Sequence, residues 1–296
     1  MSTATDRPDV AEWAAQGTVR RLAGHDIFAV DAPATGAETG EPLLVVHGFP
    51  TSSFDYAHLL GRLREHRRVV LVDLLGYGLS SKPDLHYTMA LQADVVVALT
   101  AELGLDRLAL LTHDMGDTVG GELLARQAEG TWPVEVTRRV VTNGSIYIDM
   151  AHLTDGQQLL LSLPDERLDG GGPDETALAA SLVATLAPAA SGTDMSAHAA
   201  LVAHDGGAAL LPRTIRYIEE RRANERRFTG AIEAHPSPLH VIWGPLDPIA
   251  VAAMADQLVE RRPDATLTWI DGAGHYPQIE APEEFGAAVD LALAPD

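Results

Sequence analysis

The chain has 296 residues, 46% of them hydrophobic, with a formal net charge of −21 and no cysteine. That length and apolar content suit one large domain, or a domain carrying an insertion, whose core needs no covalent staples. Disulfides, thiolate metal sites and a cysteine nucleophile are excluded. The negative charge repels phosphate backbones and anionic lipid, which argues against nucleic acid or a membrane surface as partner.

Residues 1–13 (MSTATDRPDVAEW) hold no apolar stretch of secretory-leader length. No run reaches the ~18 apolar residues that a membrane span needs, so the expectation is a soluble cytoplasmic protein, monomeric or homodimeric. Short apolar runs then recur at 43–46, 69–72, 108–111, 140–141, 240–243 and 267–270. Runs of this kind read as strands buried on both faces. Helical patterns lie between them, at 90–103, 118–129 and 250–261. Strand alternating with helix predicts an α/β fold, a mostly parallel sheet covered by helices on both sides.

From about residue 146 to 231 the rhythm breaks. Gly/Pro punctuation (Gly170, Gly171, Gly172 and Pro173; Pro188; Gly206 and Gly207) separates helical stretches at 156–162, 175–186 and 211–228. A helical block between two late strands reads as a cap over the strands' C-terminal edge, where α/β sites form. The division is therefore core 1–145, cap 146–231 and core 232–296.

The chemistry-bearing residues sit directly after the strands. The run LALLT is followed by His113-Asp114-Met115-Gly116 and then a helix. A strand running straight into a helix forces a sharp turn at Asp114, the position of a nucleophile at an elbow. Taken alone, such an Asp is equally a helix N-cap, and Thr112 departs from the small residue that usually opens the motif. The loop His47-Gly48-Phe49-Pro50 follows the strand at 43–46. Its Phe49 N–H, with that of Met115, is placed to form an oxyanion hole, with His47 and His113 beside it. The Gly-punctuated loop Asp73 to Ser80 packs beneath the elbow. Late in the chain, Trp243-Gly-Pro-Leu-Asp247-Pro248 supplies an acid and Gly272-Ala-Gly274-His275-Tyr276-Pro277 a base. Nucleophile, acid, histidine is the chain order of an α/β-hydrolase triad. Asp271 and Glu280 also flank the histidine loop, but Asp247 follows the strand that carries the acid. Asn143-Gly144 fills the other place where an acid can stand.

HGFPTSS, DLLGYGLSSKP, the HD-x-G elbow, GPLDP and GAGHYPQ resemble the epoxide hydrolase and haloalkane dehalogenase branch of the α/β-hydrolase superfamily. The closer similarity is to the mesoderm-specific transcript proteins, through HDMGD at 113–117, TNGSIY at 142–147, YIEERRANERRF at 217–228 and GPLDP at 244–248. It extends from about residue 18 onwards. The resemblance implies the α/β-hydrolase fold with a cap, an aspartate nucleophile, and no cofactor or metal.

A carboxylate attacking acyl carbon yields an anhydride, whereas at sp3 carbon it yields a stable alkyl ester. Epoxides and alkyl halides are such electrophiles, and His275, oriented by Asp247, would activate the water that hydrolyses the ester. Dehalogenases of the branch place halide-donating side chains at the positions of Met115 and Phe49, neither of which can donate. Its epoxide hydrolases use cap tyrosines. Tyr147 falls where the first is expected; alignment on Phe228 puts Arg221 at the second place and Tyr217 one helical turn earlier on the same face. For each tyrosine, a packed aromatic with a bonded hydroxyl is the alternative. The expected activity is hydrolysis of a small apolar epoxide to a vicinal diol. Dehalogenation with atypical halide ligands, or a non-catalytic ligand-binding protein, stands behind it. Asp117 reads as a helix-dipole residue. His152, His198 and His204 read as solvated cap residues, and Arg221, Arg222, Arg226 and Arg227 as a solvated helix face.

Overall fold

In the computed structural model, which describes residues 4–294, the apolar runs become one eight-stranded sheet. Its strands are β1 (Gly17–Leu22), β2 (His25–Ala32), β3 (Leu43–Val46), β4 (Val69–Val72), β5 (Arg107–His113), β6 (Glu135–Thr142), β7 (Leu239–Trp243) and β8 (Thr266–Trp269). They lie in the order β1-β2-β4-β3-β5-β6-β7-β8. β1, β2 and β4 pair antiparallel, and from β4 to β8 every pairing is parallel. The sheet is an α/β-hydrolase sheet, as expected. The β1–β2 hairpin was not anticipated: β1 lies at an edge with half of its residues exposed, and the short apolar run at 27–30 in β2 was not read as a strand. A half-exposed edge strand carries no continuous apolar run.

The parallel strands show why period-two side-chain alternation produces two cores. Leu44 and Val46 of β3 and Val70 and Val72 of β4 pack into one apolar layer, while Leu43, Val45, Val69 and Leu71 pack into the other. Helices Met89–Glu102 and Met115–Ala128 cover the first face, and helix Pro282–Ala292 covers the second. Because β3 to β8 run the same way, the loops that leave them all open on one edge of the sheet. That edge is where α/β proteins gather ligand groups.

Between β6 and β7 the described chain contains helices and no strand. The expected helix 211–228 is broken into Leu211–Thr214, Tyr217–Ala223 and Glu225–Ala234, with Asn224 leaving helical geometry between the last two. The break turns the chain so that the last of these helices packs on helix Met115–Ala128. There the backbone at Phe228 comes so close to Gly121 that a Cβ would lie 2.5 Å from its carbonyl oxygen.

Candidate active site

β5 ends at His113, and helix Met115–Ala128 starts one residue beyond Asp114. To make that turn Asp114 adopts φ 51° and ψ −111°, a conformation that costs a non-glycine residue on the order of 1–3 kcal/mol. Its side chain makes no capping bond to the helix, so the N-cap alternative does not describe it. Instead, Phe49 N–H donates to Asp114 Oδ2 at 2.9 Å, and the Met115 N–H helps to hold the carboxylate pKa down. The two loops meet closely: a Cβ on Gly116 would lie 2.3 Å from the Val46 carbonyl oxygen, and one on Gly48 2.7 Å from Asp114 Cβ. Glycine at both places is a condition of the contact. Asp114 is 2% exposed. Burial raises its pKa, opposed by His275, Arg221 and the two N–H groups.

β7 and β8 deliver the partners. Asp247 Oδ1 accepts N–H bonds from Ile249 at 2.7 Å and Ala250 at 3.0 Å, and Oδ2 faces His275 Nδ1 at 2.8 Å. Burial pulls the imidazole pKa down, but Asp247 outweighs it and Asp114 adds to the lift, leaving His275 raised to about 9. The lift favours an imidazolium that donates from Nδ1 to Asp247. Asn143, with φ 46°, donates to Asp247 Oδ2 at 2.8 Å and accepts from Gly244 N–H at 2.9 Å. It thus steadies the acid from the neighbouring strand end, a role that the sequence reading left out. Glu280 accepts the N–H groups of Gly274, Tyr276 and Ala187, which braces the histidine loop; Asp271 is exposed.

The other two histidines sit behind the site. His47 Nδ1 donates to Gly48 O at 2.8 Å and Nε2 accepts from Leu74 N–H at 3.0 Å, so the backbone on both sides specifies its tautomer. His113 Nε2 donates to the His275 carbonyl at 2.8 Å, and burial holds its pKa well below the usual value. Both are buried loop braces whose ring bonds go to backbone groups, and neither is among the residues that line the cavity described below. Asp117 is buried as well and accepts from Thr112; burial drives its pKa well up, opposed by Thr112 and Arg221.

The tyrosines part company. Tyr147 turns its hydroxyl to Glu233 Oε1 at 2.8 Å, which corrects its assignment as a donor to the site. Tyr217 stacks at 5.6 Å from the Phe49 ring. Burial raises its pKa, with Asp114 raising it further and Arg221 opposing. Tyr77 bonds Met115 Sδ and the Thr214 carbonyl, and Tyr276 bonds the Phe49 carbonyl at 3.3 Å. The arginine face also divides. Arg222 and Arg226 are exposed and Arg227 pairs with Glu122 and Glu129, but Arg221 is 1% exposed and bonded to the elbow. His152 is exposed and His204 half-buried, whereas His198 is buried against Phe54, with ring centroids 5.0 Å apart.

A cavity of about 320 Å³ opens on this edge. Phe49, His275 and Tyr276 form its core side, and the insertion faces them with leucines including Leu160, Leu178, Leu182 and Leu211. Its volume lies at the small end of ligand pockets. Thr154, Gln157, Ser181 and Thr185 supply the insertion's polar points. Among the described residues no group of three His, Asp or Glu side chains is placed to hold a metal ion, and no helix is long and apolar enough to cross a membrane.

Comparison with known proteins agrees with this geometry. The LipZ hydrolase of Mycobacterium tuberculosis is 32% identical over 288 residues, covering 95% of this chain and 96% of its own. The mesoderm-specific transcript homolog protein of Homo sapiens is 32% identical over 297 residues, covering 94% and 86%. Among solved structures, the haloalkane dehalogenase DatA from Agrobacterium tumefaciens C58 superimposes with a TM-score of 0.74 at 21% identity, covering 94% of this chain and 95% of that one. The sequence pattern of the alpha/beta hydrolase family matches residues 43–288, which span the elbow, the acid and the histidine, and the chain belongs to that family.

Proposed function

We propose that this hydrolase opens an apolar epoxide to a vicinal diol through an ester on Asp114. The observation that carries the reading is the Phe49 N–H bond to Asp114 Oδ2. It holds one carboxylate oxygen in the pocket of N–H groups where an oxyanion later develops, and leaves Oδ1 to attack carbon. Attack breaks a ring C–O bond, and its electron pair goes to the ring oxygen, which takes a proton from the Tyr217 hydroxyl. The His275 imidazolium replenishes that proton. Its acidity rises at this moment, because the ester no longer carries the Asp114 charge that helped to hold its pKa near 9. Neutral His275 then deprotonates water, the hydroxide adds to the ester carbonyl, and collapse returns the carboxylate and releases the diol.

The leucine-lined cavity supports a small apolar body on the substrate, with the helical insertion acting as a cap. The side chains of Met115 and Phe49 offer no halide donor, which supports ring opening over halide displacement. Displacement remains the second reading, favoured by the likeness in fold to a dehalogenase. Styrene oxide as probe, in a single turnover in heavy-oxygen water, tests the scheme. The first diol carries unlabelled oxygen and the label appears in Asp114. A labelled first product over an unlabelled protein would overturn the scheme, and halide release from haloalkanes without diol formation would select the second reading.

A further inference from the structure

Arg221 stands one helical turn after Tyr217 on the helix Tyr217–Ala223, on the same face. It is a buried guanidinium whose hydrogen bonds all go to neutral oxygens. Nε donates to Thr118 Oγ1 at 2.7 Å, Nη1 to the Ser145 carbonyl at 2.9 Å, and Nη2 to the backbone carbonyl of Asp114 at 3.2 Å. The same group lies over the Tyr217 ring, 5.0 Å from its centroid. An arginine retained only for packing would gain nothing from its charge here, since burying a cation without a bonded anion is costly. Two buried carboxylates act on it, Asp117 and Asp114, and of the two only Asp114 also acts on Tyr217.

Resting on the ring-opening reading above, we propose that Arg221 is a positioning residue that makes Tyr217 an effective proton donor only once Asp114 has become an ester. In the resting site two opposite charges act on the Tyr217 hydroxyl: Asp114 disfavours its ionisation and Arg221 favours it. Esterification removes the first and leaves the second. The phenol therefore becomes more acidic as the ring oxygen takes up the electron pair of the broken C–O bond. Its proton passes to that oxygen, and the phenolate left behind faces the guanidinium. A cation over the aromatic face stabilises the phenolate more than the phenol. The other titratable groups around the tyrosine are Tyr77 and Tyr276, whose pKa values burial drives well up, and His275 beyond Asp114. Arg221 also accounts for a single tyrosine donor where Tyr147 is engaged elsewhere.

The test uses the full chain carrying His275→Gln, in which the ester accumulates, and follows ester formation from styrene oxide by intact-protein mass. Arg221→Met is expected to slow it about a hundredfold, the loss expected for one transition-state donor. In a Tyr217→Phe background the same change is expected to add little, and Arg221→Lys to recover part of the rate. Equal slowing in both backgrounds, or no slowing, overturns the proposal. So does a Lys variant, folded by circular dichroism, that is as slow as Met. A second readout needs no turnover. The ultraviolet ionisation of Tyr217, taken as the difference from Tyr217→Phe, is expected at higher pH in Asp114→Asn/Arg221→Lys than in Asp114→Asn, because an ammonium cannot spread over the ring as a guanidinium does. An unchanged or lower pKa overturns the proposal. If His275→Gln forms no ester at all, the ring-opening reading itself has failed, and the two failures are thereby distinguished.

Discussion

The site has two walls of different construction. On the core side, Asp114, Phe49, Asp247 and His275 leave neighbouring strand ends and are held by bonds to backbone N–H groups and to one another. On the insertion side, Tyr217 and Arg221 lie on a short helix, and Arg221 is tied to the Thr118 hydroxyl and the Ser145 carbonyl, both far off in sequence. The core wall is rigid because the sheet positions it, and it sets which bond is made. In the proposed reaction the insertion wall serves the leaving group, because its donor would meet the atom that departs.

The core wall is expected to fail most severely. Asp114→Asn removes the nucleophile with little change of shape, and turnover should fall by about 10⁴-fold or more. The variant also lowers the His275 pKa below about 9, since one of the anions raising it is gone while Asp247 remains. Titration of the ring by NMR checks this. In the wild type the imidazolium stabilises the fold fully below its unfolded pKa of about 6.5, and that contribution is lost as pH rises through about 9. In Asp114→Asn the loss should come at lower pH.

Next in size, His275→Gln should cut steady-state turnover by roughly 10³-fold and leave a mass adduct of one epoxide on the protein. Fast diol release without an adduct would show that the two walls do not divide the work as described. On the insertion side, Tyr217→Phe should slow turnover about a hundredfold, as for one lost oxyanion donor. Tyr147→Phe should leave turnover unchanged and cost about 1 kcal/mol of stability in urea titrations, through the lost bond to Glu233. The reverse ranking of the two tyrosines would exchange their roles.

The smallest effect on catalysis is expected behind the core wall, at Asp55. Burial raises its pKa to about 8, only partly offset by the Thr51 hydroxyl, and its Oδ1 has no hydrogen-bond partner. The native state keeps this proton between pH 4 and 8 while the unfolded chain releases it, so the group removes stability as pH rises across that window. Asp55→Asn should therefore give no gain near pH 4 and a gain growing by up to about 1.4 kcal/mol per pH unit towards pH 8. Urea midpoints at several pH values read it directly. A gain independent of pH would mean that the carboxylate is ionised in the fold.

Much of the core wall was legible because its signals are local. A buried strand is an apolar run, and the residue that follows it must emerge at the sheet's edge, so Asp114, Asp247 and His275 could be placed by counting. Asn143 had been read only as the absence of an acid; its bond to Asp247 depends on two strand ends more than ninety residues apart meeting in space. His47 and His113 were judged by proximity in sequence, which does not say which way a ring faces. In the insertion, proximity failed more broadly. Tyr147 follows β6 as expected, yet its hydroxyl is captured by Glu233 from the helix Glu225–Ala234. Arg221 belongs to a run of charged residues that reads as a wet face, yet Thr118, the Ser145 carbonyl and the elbow hold it inward.

The sequence by itself determined the parallel strands, the elbow and the order elbow aspartate, acid, histidine, because strand periodicity and the residues at strand ends are short-range properties of the chain. It also determined that the nucleophile is a carboxylate candidate and that Met115 and Phe49 bring no halide donor. Only the tertiary structure decided that the Tyr147 hydroxyl turns to Glu233 and that a guanidinium lies buried at the elbow. Those outcomes depend on how helices without sheet pairing pack over the strand ends. Packing of that kind is settled by long-range contacts, which no local pattern records.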